Sequence, residues 1–143
     1  MTTARNIFNE KDQQLLVTAI GKAELKTSGE IRLHVENFCF GDEIKRANKI
    51  FGKLKMHQTK ERNGILIYIA VINKKIAVVG DEDIHLKVGT EFWQKIVGEL
   101  IGKFKQNKKA DALADCIVEC GNELGKYFPG SVDKNELTNE ISY

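Results

Sequence analysis

The spacing of apolar residues changes within the first forty or so positions of the chain. Asn9 can cap a helix, and Asp12 stands three residues later, as in a capping box. The apolar positions that follow recur at helical spacing and predict a helix up to about Lys26: Leu16, Ala19, Ile20 and Ala23. From Glu30 the period becomes two, which predicts a strand over residues 30–37 with one buried and one solvated face.

A second helix and a hairpin are predicted next. The helix begins after Gly41 and combines a lysine-rich face with one apolar stripe: Ile44, Ala47, Ile50, Phe51 and Leu54. Residues 65–72 are an unbroken apolar run rich in β-branched side chains, which predicts a central strand buried on both faces. The polar turn at residues 73–75 then leads into a return strand over residues 76–79.

Two helices are expected to complete the domain. The first is dense in apolar residues from Phe92 to Phe104, and the second is amphipathic from Ala110 to Leu124. Pro129 ends the second helix. We therefore expect one α/β domain over residues 1–129, followed by a polar, disordered tail over residues 130–143.

This order of elements predicts a three-layer α/β/α sandwich. The strands at 30–37 and 64–72 are joined by a helix, so they should run parallel with a right-handed crossover. The third strand follows a tight turn and must run antiparallel to the second. The sheet is therefore expected to be small and mixed, with helices on both faces.

The same strand directions bring three polar segments to one edge of the sheet. The beginnings of the first two strands should lie beside the end of the third, so Glu30 and Asn63 should meet Asp81, Glu82 and Asp83. Ca²⁺ takes many oxygen ligands from carboxylates, amides and water in irregular geometry. These five residues are therefore the predicted ligands of a divalent cation, Ca²⁺ in the first place and Mg²⁺ or another ion otherwise.

Arg62 belongs to the same edge and leaves two interpretations open. It can pair with these carboxylates, or it can bind a phosphate group. The bland alternative for the whole cluster is a solvated acidic turn that pairs with its neighbours.

Composition and charge exclude several classes of protein. The chain has 143 residues, 42% of them apolar and 29% charged, which is ordinary for a soluble globular domain. A net charge of +2 gives no basis for binding nucleic acid or an anionic membrane. No apolar run is long enough to span a bilayer, and the N-terminus lacks the apolar core of a secretory signal. We expect a cytoplasmic monomer with reduced cysteines.

Three segments resemble the TPM domain family: Thr27-Ser28-Gly29-Glu30-Ile31, Arg62-Asn63-Gly64-Ile65-Leu66-Ile67 and Val78-Val79-Gly80. The resemblance covers about residues 9–128 and is to a short, soluble, stand-alone bacterial member. It implies an α/β/α sandwich with an acidic cleft at the edge described above. It also implies divalent-cation binding and, in some members, acid phosphatase activity on phosphomonoesters.

The chain differs from the family pattern at two places near this edge. Gly80-Asp81-Glu82-Asp83 replaces the family's glycine-aromatic-glycine loop, and a family aspartate falls around Gly89-Thr90, where no carboxylate stands. We therefore expect a cation-binding or regulatory module. The first alternative is a weak metal-dependent phosphatase, in which Glu30 orients a water and Arg62 offsets developing charge. The second is a protein-interaction domain that takes a partner protein and no small ligand.

Overall fold

The computed structural model describes residues 1–130 and 139–143, and within them it contains four α-helices and three strands. In chain order the elements are α1 (Glu10–Glu24), β1 (Ile31–Glu36), α2 (Glu43–Lys53), a short 3₁₀ helix (Met56–Gln58), β2 (Ile65–Ala70), β3 (Lys75–Gly80), α3 (Glu82–Phe104) and α4 (Lys109–Tyr127). Among these residues, no helix is both long enough and apolar enough to cross a membrane.

The sheet has the order β1-β2-β3 and is mixed, as the sequence predicted. β1 runs parallel to β2 with Ile31 opposite Ile65, and β3 runs antiparallel to β2 with Gly80 opposite Ile65. The alternating side chains of the buried central strand β2 divide between two apolar cores, one on each face of the sheet. The predicted α/β fold with helices flanking a small mixed sheet is confirmed.

The two faces of the sheet are covered unequally. On one face, α2 packs Ala47 and Phe51 against Leu66 and Tyr68 of β2. On the other face, α1, α3 and α4 form the larger core. The largest fully buried side chains of that core are Leu16, Ile20, Ile31, Leu33, Ile65, Ile67, Ile84, Ile96 and Leu100. Most of the apolar burial that stabilises the domain therefore lies on the three-helix face.

A close approach of two helices holds this larger core together. A Cβ atom added at Gly121 of α4 would lie 2.7 Å from the Cβ atom and 3.1 Å from the Cα atom of Ala23 in α1. Real Cβ atoms essentially never come within 3.0 Å of another heavy atom, so α1 and α4 can keep this spacing only because residue 121 is a glycine.

The structure differs from the sequence prediction at the start of α3. The acidic residues were expected to lie in a loop, but Asp81 is the N-cap of α3, and Glu82 and Asp83 occupy its first turn. Sequence spacing missed this because Gly89, at φ 76° and ψ 172°, interrupts the helical backbone between this turn and the apolar part of the helix. The segment is thus a capped helical start followed by a kink.

The C-terminal residues also differ from the expectation of a disordered tail over 130–143. Residues 139–143 lie along the edge of β1, where the Ser142 N–H group donates to the Leu33 carbonyl and the Val35 N–H group donates to the Ser142 carbonyl, both at 2.8 Å. The Arg5 guanidinium stands 5.6 Å from the centre of the Tyr143 ring. The rest of the predicted tail, residues 131–138, lies outside the described residues.

Candidate functional site

Backbone pairing joins the three polar segments at one end of the sheet. The Ile65 N–H group donates to the Glu30 carbonyl at 2.8 Å, and the Asp81 N–H group donates to the Gly64 carbonyl at 2.9 Å. We call residues 28–30, 62–64 and 80–83 the polar edge. All the residues predicted as ligands lie in this edge, as the strand directions required.

Arg62 and Asp81 form a two-point ion pair within the polar edge. Arg62 donates from Nε and Nη2 to the two carboxylate oxygens of Asp81 at 2.8 and 2.9 Å, and this hydrogen bonding raises the pKa of Arg62. Asp81 also accepts the Glu82 N–H group at 2.8 Å, so it caps α3 at the same time. Of the two interpretations of Arg62, the structure has the carboxylate partner, and a phosphate would have to displace Asp81.

The other two acidic residues of the polar edge lie in the first turn of α3. Glu82 and Asp83 are exposed, and Glu82 Oε2 stands 3.6 Å from Nη1 of Arg62. Acidic side chains in a first turn stabilise a helix through its dipole, which by itself accounts for negative charge at these positions. Among the residues that the structure describes, no three histidine, cysteine, aspartate or glutamate side chains are grouped so that they could hold a metal ion. The predicted ligands share an edge without forming a closed carboxylate set.

Asn63 and Glu30 lie at the buried side of the polar edge. Asn63 is 1% exposed, and Glu30 is fully buried. The Asn63 Nδ2 group donates to Ser28 Oγ at 3.1 Å, whereas Asn63 Oδ1 is buried with no hydrogen-bond partner among the described residues. A buried acceptor left without a partner costs roughly 1–3 kcal/mol. Asn63 Oδ1 is therefore the atom of this edge that most requires a further ligand.

Trp93 supports the polar edge from α3. Its indole N–H group donates to His85 Nδ1 at 2.9 Å, which leaves the proton of a neutral His85 on Nε2. A Cβ atom at Gly80 would lie 2.5 Å from the Trp93 ring, so only glycine lets the end of β3 rest on the indole. This packing fixes where β3 ends and α3 begins.

A second polar cluster, at the other end of β1, was not predicted from the sequence. Glu36 accepts from Arg46 Nε at 2.8 Å and from Arg46 Nη2 at 2.9 Å, and it also accepts the Tyr68 hydroxyl. His34 lies between Glu36 and Ser142, with Nε2 3.2 Å from Glu36 Oε1 and Nδ1 2.9 Å from Ser142 Oγ. We call these five residues the Glu36 network.

The Glu36 network shifts the proton affinities of its members. The hydrogen bonds from Arg46, opposed by burial and helped by those from Tyr68 and His34, lower the pKa of Glu36 to about 2. Burial, together with the bond to Glu36, raises the pKa of Tyr68, and burial lowers the pKa of His34. The period-two pattern puts His34 and Glu36 on the predicted solvated face of the first strand, and Arg46 falls on the predicted lysine-rich face of the second helix. One feature of the sequence could have indicated this network. Ionisable residues alternate along the first strand, and that strand pairs with one that is apolar at every position.

Comparisons with known proteins agree with the fold. The family model described as the TPM domain matches residues 1–123. The NMR structure of the BA42 protein from the psychrophilic bacterium Bizionia argentinensis is 38% identical, with a TM-score of 0.89, and the match covers 99% of this chain and 99% of that one. No protein among those of curated function matches. The chain belongs to the TPM domain family.

Proposed function

We propose that this TPM domain binds a divalent cation, Ca²⁺ in the first place, at the polar edge and acts as a binding or regulatory module. The observation that carries the proposal is the buried Asn63 Oδ1 atom, which has no hydrogen-bond partner among the described residues. An amide oxygen is a normal Ca²⁺ ligand, and a cation at this position would satisfy it. Glu30 belongs to the same edge and is fully buried, so we propose its carboxylate as a further ligand.

Arg62 occupies a carboxylate of the proposed site when no cation is bound. Without a cation, the guanidinium neutralises Asp81 and holds it at the start of α3. A bound divalent ion would compete with Arg62 for that carboxylate, because both favour its ionised form. Cation binding is thus expected to loosen the Arg62–Asp81 pair and to shift the first turn of α3.

No observation specifically favours the phosphatase alternative. The Nε and Nη2 groups of Arg62 both donate hydrogen bonds to Asp81, so these two groups are not available to bind a phosphate group. We therefore propose binding and no reaction at this edge.

The first test is a Ca²⁺ titration of metal-free protein followed through backbone amide NMR shifts. Saturable shifts are expected at residues 28–31, 62–65 and 80–86, and Asp81→Asn/Asp83→Asn should abolish them because the site loses two formal charges. Asp42→Asn/Glu43→Gln is the matched control, since Asp42 caps α2 as Asp81 caps α3, Glu43 lies in the first turn of α2, and both lie outside the polar edge. Flat or scattered shifts, or equal affinity in the double variant, would show that the proposal is wrong.

Two further variants separate the roles of Asn63 and Arg62. Asn63→Leu is expected to weaken Ca²⁺ binding at least tenfold. The metal-free fold should stay within about 1 kcal/mol of the original, because a buried unpaired oxygen is removed together with one hydrogen bond. Arg62→Gln is expected to tighten binding several-fold, because Asp81 then has no competing cation. Calorimetric titration measures both affinities, and weaker binding in Arg62→Gln would count against the competition.

A further inference from the structure

A cavity at the opposite end of the sheet has no part in the proposed cation site. It lies where β2 ends and β3 begins, and it is closed by the N-terminal segment, the end of α3 and the start of α4. Its volume is about 360 Å³, which falls within the range in which proteins hold small organic ligands. The carboxyl end of β2, a strand of the parallel pair, is also where ligands commonly sit in open α/β sheets.

The interior of this cavity is apolar. Its walls come from the N-terminal segment, the two strands of the hairpin and the last turns of α3. The large apolar residues among them are Ile7, Ile69, Val71, Ile76, Ile101 and Phe104. Ile101 remains 39% exposed, while Ile69 and Ile76 are buried beneath it in the sheet. A ligand with an apolar body would remove this surface from water, which is the main source of affinity in such pockets.

The rim of the cavity is positively charged and unbalanced. Lys74, Lys75, Lys105 and Lys109 line it, no aspartate or glutamate does, and none of the four is in an ion pair among the described residues. Lys75 donates to the Gly41 carbonyl at 2.7 Å, and Lys109 donates to Asn107 Oδ1 at 3.2 Å.

The ammonium groups of Lys74 and Lys105 make no hydrogen bond with the described residues, so two cations at the cavity mouth are uncommitted.

The start of α4 adds to this positive potential. The helix begins at Lys109, and its N-cap residue, Lys108, makes no capping hydrogen bond through its side chain. The first N–H groups of α4 and the positive end of its dipole therefore favour a negative group nearby. Asp111, in the first turn of α4, offsets part of this dipole, so the main positive charge at the rim comes from the lysines.

We propose that this cavity binds a free amphipathic carboxylate, a fatty acid of medium chain length. The hydrocarbon chain occupies the apolar cavity, and the carboxylate lies at the mouth between Lys74 and Lys105. The two lysines at the mouth can both contact one carboxylate. A second charged group on the ligand would have to enter the apolar interior, where burying it would be costly. The site is independent of the polar edge, so either proposal can fail without the other.

Decanoate, below its micelle concentration, is the probe for the full chain. We expect saturable shifts of the methyl groups of Ile69, Ile76 and Ile101 in carbon–proton NMR spectra. Lys74→Gln/Lys105→Gln should weaken binding at least tenfold. Lys45→Gln/Lys49→Gln is the matched control, because it removes the same charge from exposed positions on α2 and should leave the affinity unchanged.

Two further ligands test the separate parts of the proposal. Decanol has the same chain without the charge and should bind at least tenfold more weakly than decanoate. Vesicles containing phosphatidylglycerol test whether the lysines bind an anionic membrane surface instead of a free carboxylate. The proposal is overturned if decanoate binds the Lys74→Gln/Lys105→Gln variant as tightly as the original chain, if the shifts spread along the whole surface, or if only the vesicles bind.

Discussion

Acidification from pH 4.5 to pH 2 is expected to remove about 3 kcal/mol of stability through Glu36 alone. Its pKa is about 2 in the folded protein against an ordinary 4.5, and each tenfold change in proton affinity is worth about 1.4 kcal/mol. Because the folded-state pKa is depressed, the contribution is complete above pH 4.5 and is lost as the pH falls toward 2. His34 also makes the protein less stable as the pH falls, but at a higher pH than Glu36. Burial lowers the pKa of His34, so the unfolded chain takes up that proton first.

Glu36→Gln provides the measurement. Urea unfolding followed by the fluorescence of Trp93 should show the variant less stable than the original chain at pH 7 by about 3 kcal/mol, with the difference closing as the pH approaches 2. Glu61→Gln is the matched control, because Glu61 is exposed and makes no ion pair with a described residue. If the unfolding free energies of Glu36→Gln and of the original chain changed in parallel with pH, the charge of Glu36 would not contribute to stability.

Gly121→Leu is expected to destabilise the domain by about 3 kcal/mol. A side chain at this position must push α1 away, since even a Cβ atom would stand 2.7 Å from the Ala23 Cβ atom. Overpacking of this kind costs roughly 1–3 kcal/mol, and the neighbour here includes backbone, which cannot rotate aside. Urea denaturation compared with the original chain measures the change.

Gly102→Leu is the matched control for Gly121→Leu. Gly102 is an exposed helical glycine, and a Cβ atom added there would meet nothing within 4 Å, so the substitution should stabilise α3 by roughly 0.5–1 kcal/mol. The two substitutions are chemically identical and are expected to have opposite signs. A stabilised Gly121→Leu protein would mean that α1 and α4 can separate at little cost.

The order and type of the elements could be predicted from the sequence because the periodicities are strong. β2 is apolar at every position and pairs on both sides, and α1 begins at Asn9 with the capping box that its sequence indicated. The start of α3 could not be predicted, because its kink at Gly89 separates the acidic turn from the apolar stripe. Periodicity describes a continuous helix and gives no signal across a break in the backbone.

The candidate site was predictable in its location and less so in its contacts. Strand direction alone brought Glu30, Asn63 and Asp81 to one edge, because direction follows from the connections. Which carboxylate Arg62 selects depends on side-chain positions that no spacing encodes. The Glu36 network was hidden for a related reason, since it joins His34 to Ser142 across 108 positions.

The residues that lie along β1 give the sheet two different edges. On the outer side of β1, Ser142 forms backbone hydrogen bonds with Leu33 and Val35. On the outer side of β3, no strand lies beside it among the described residues. A sheet with two open edges can add strands without limit, as fibrils do. Here any association through strands can use only β3 and would stop at a pair of molecules. The last few described residues thus act as a terminator of sheet growth.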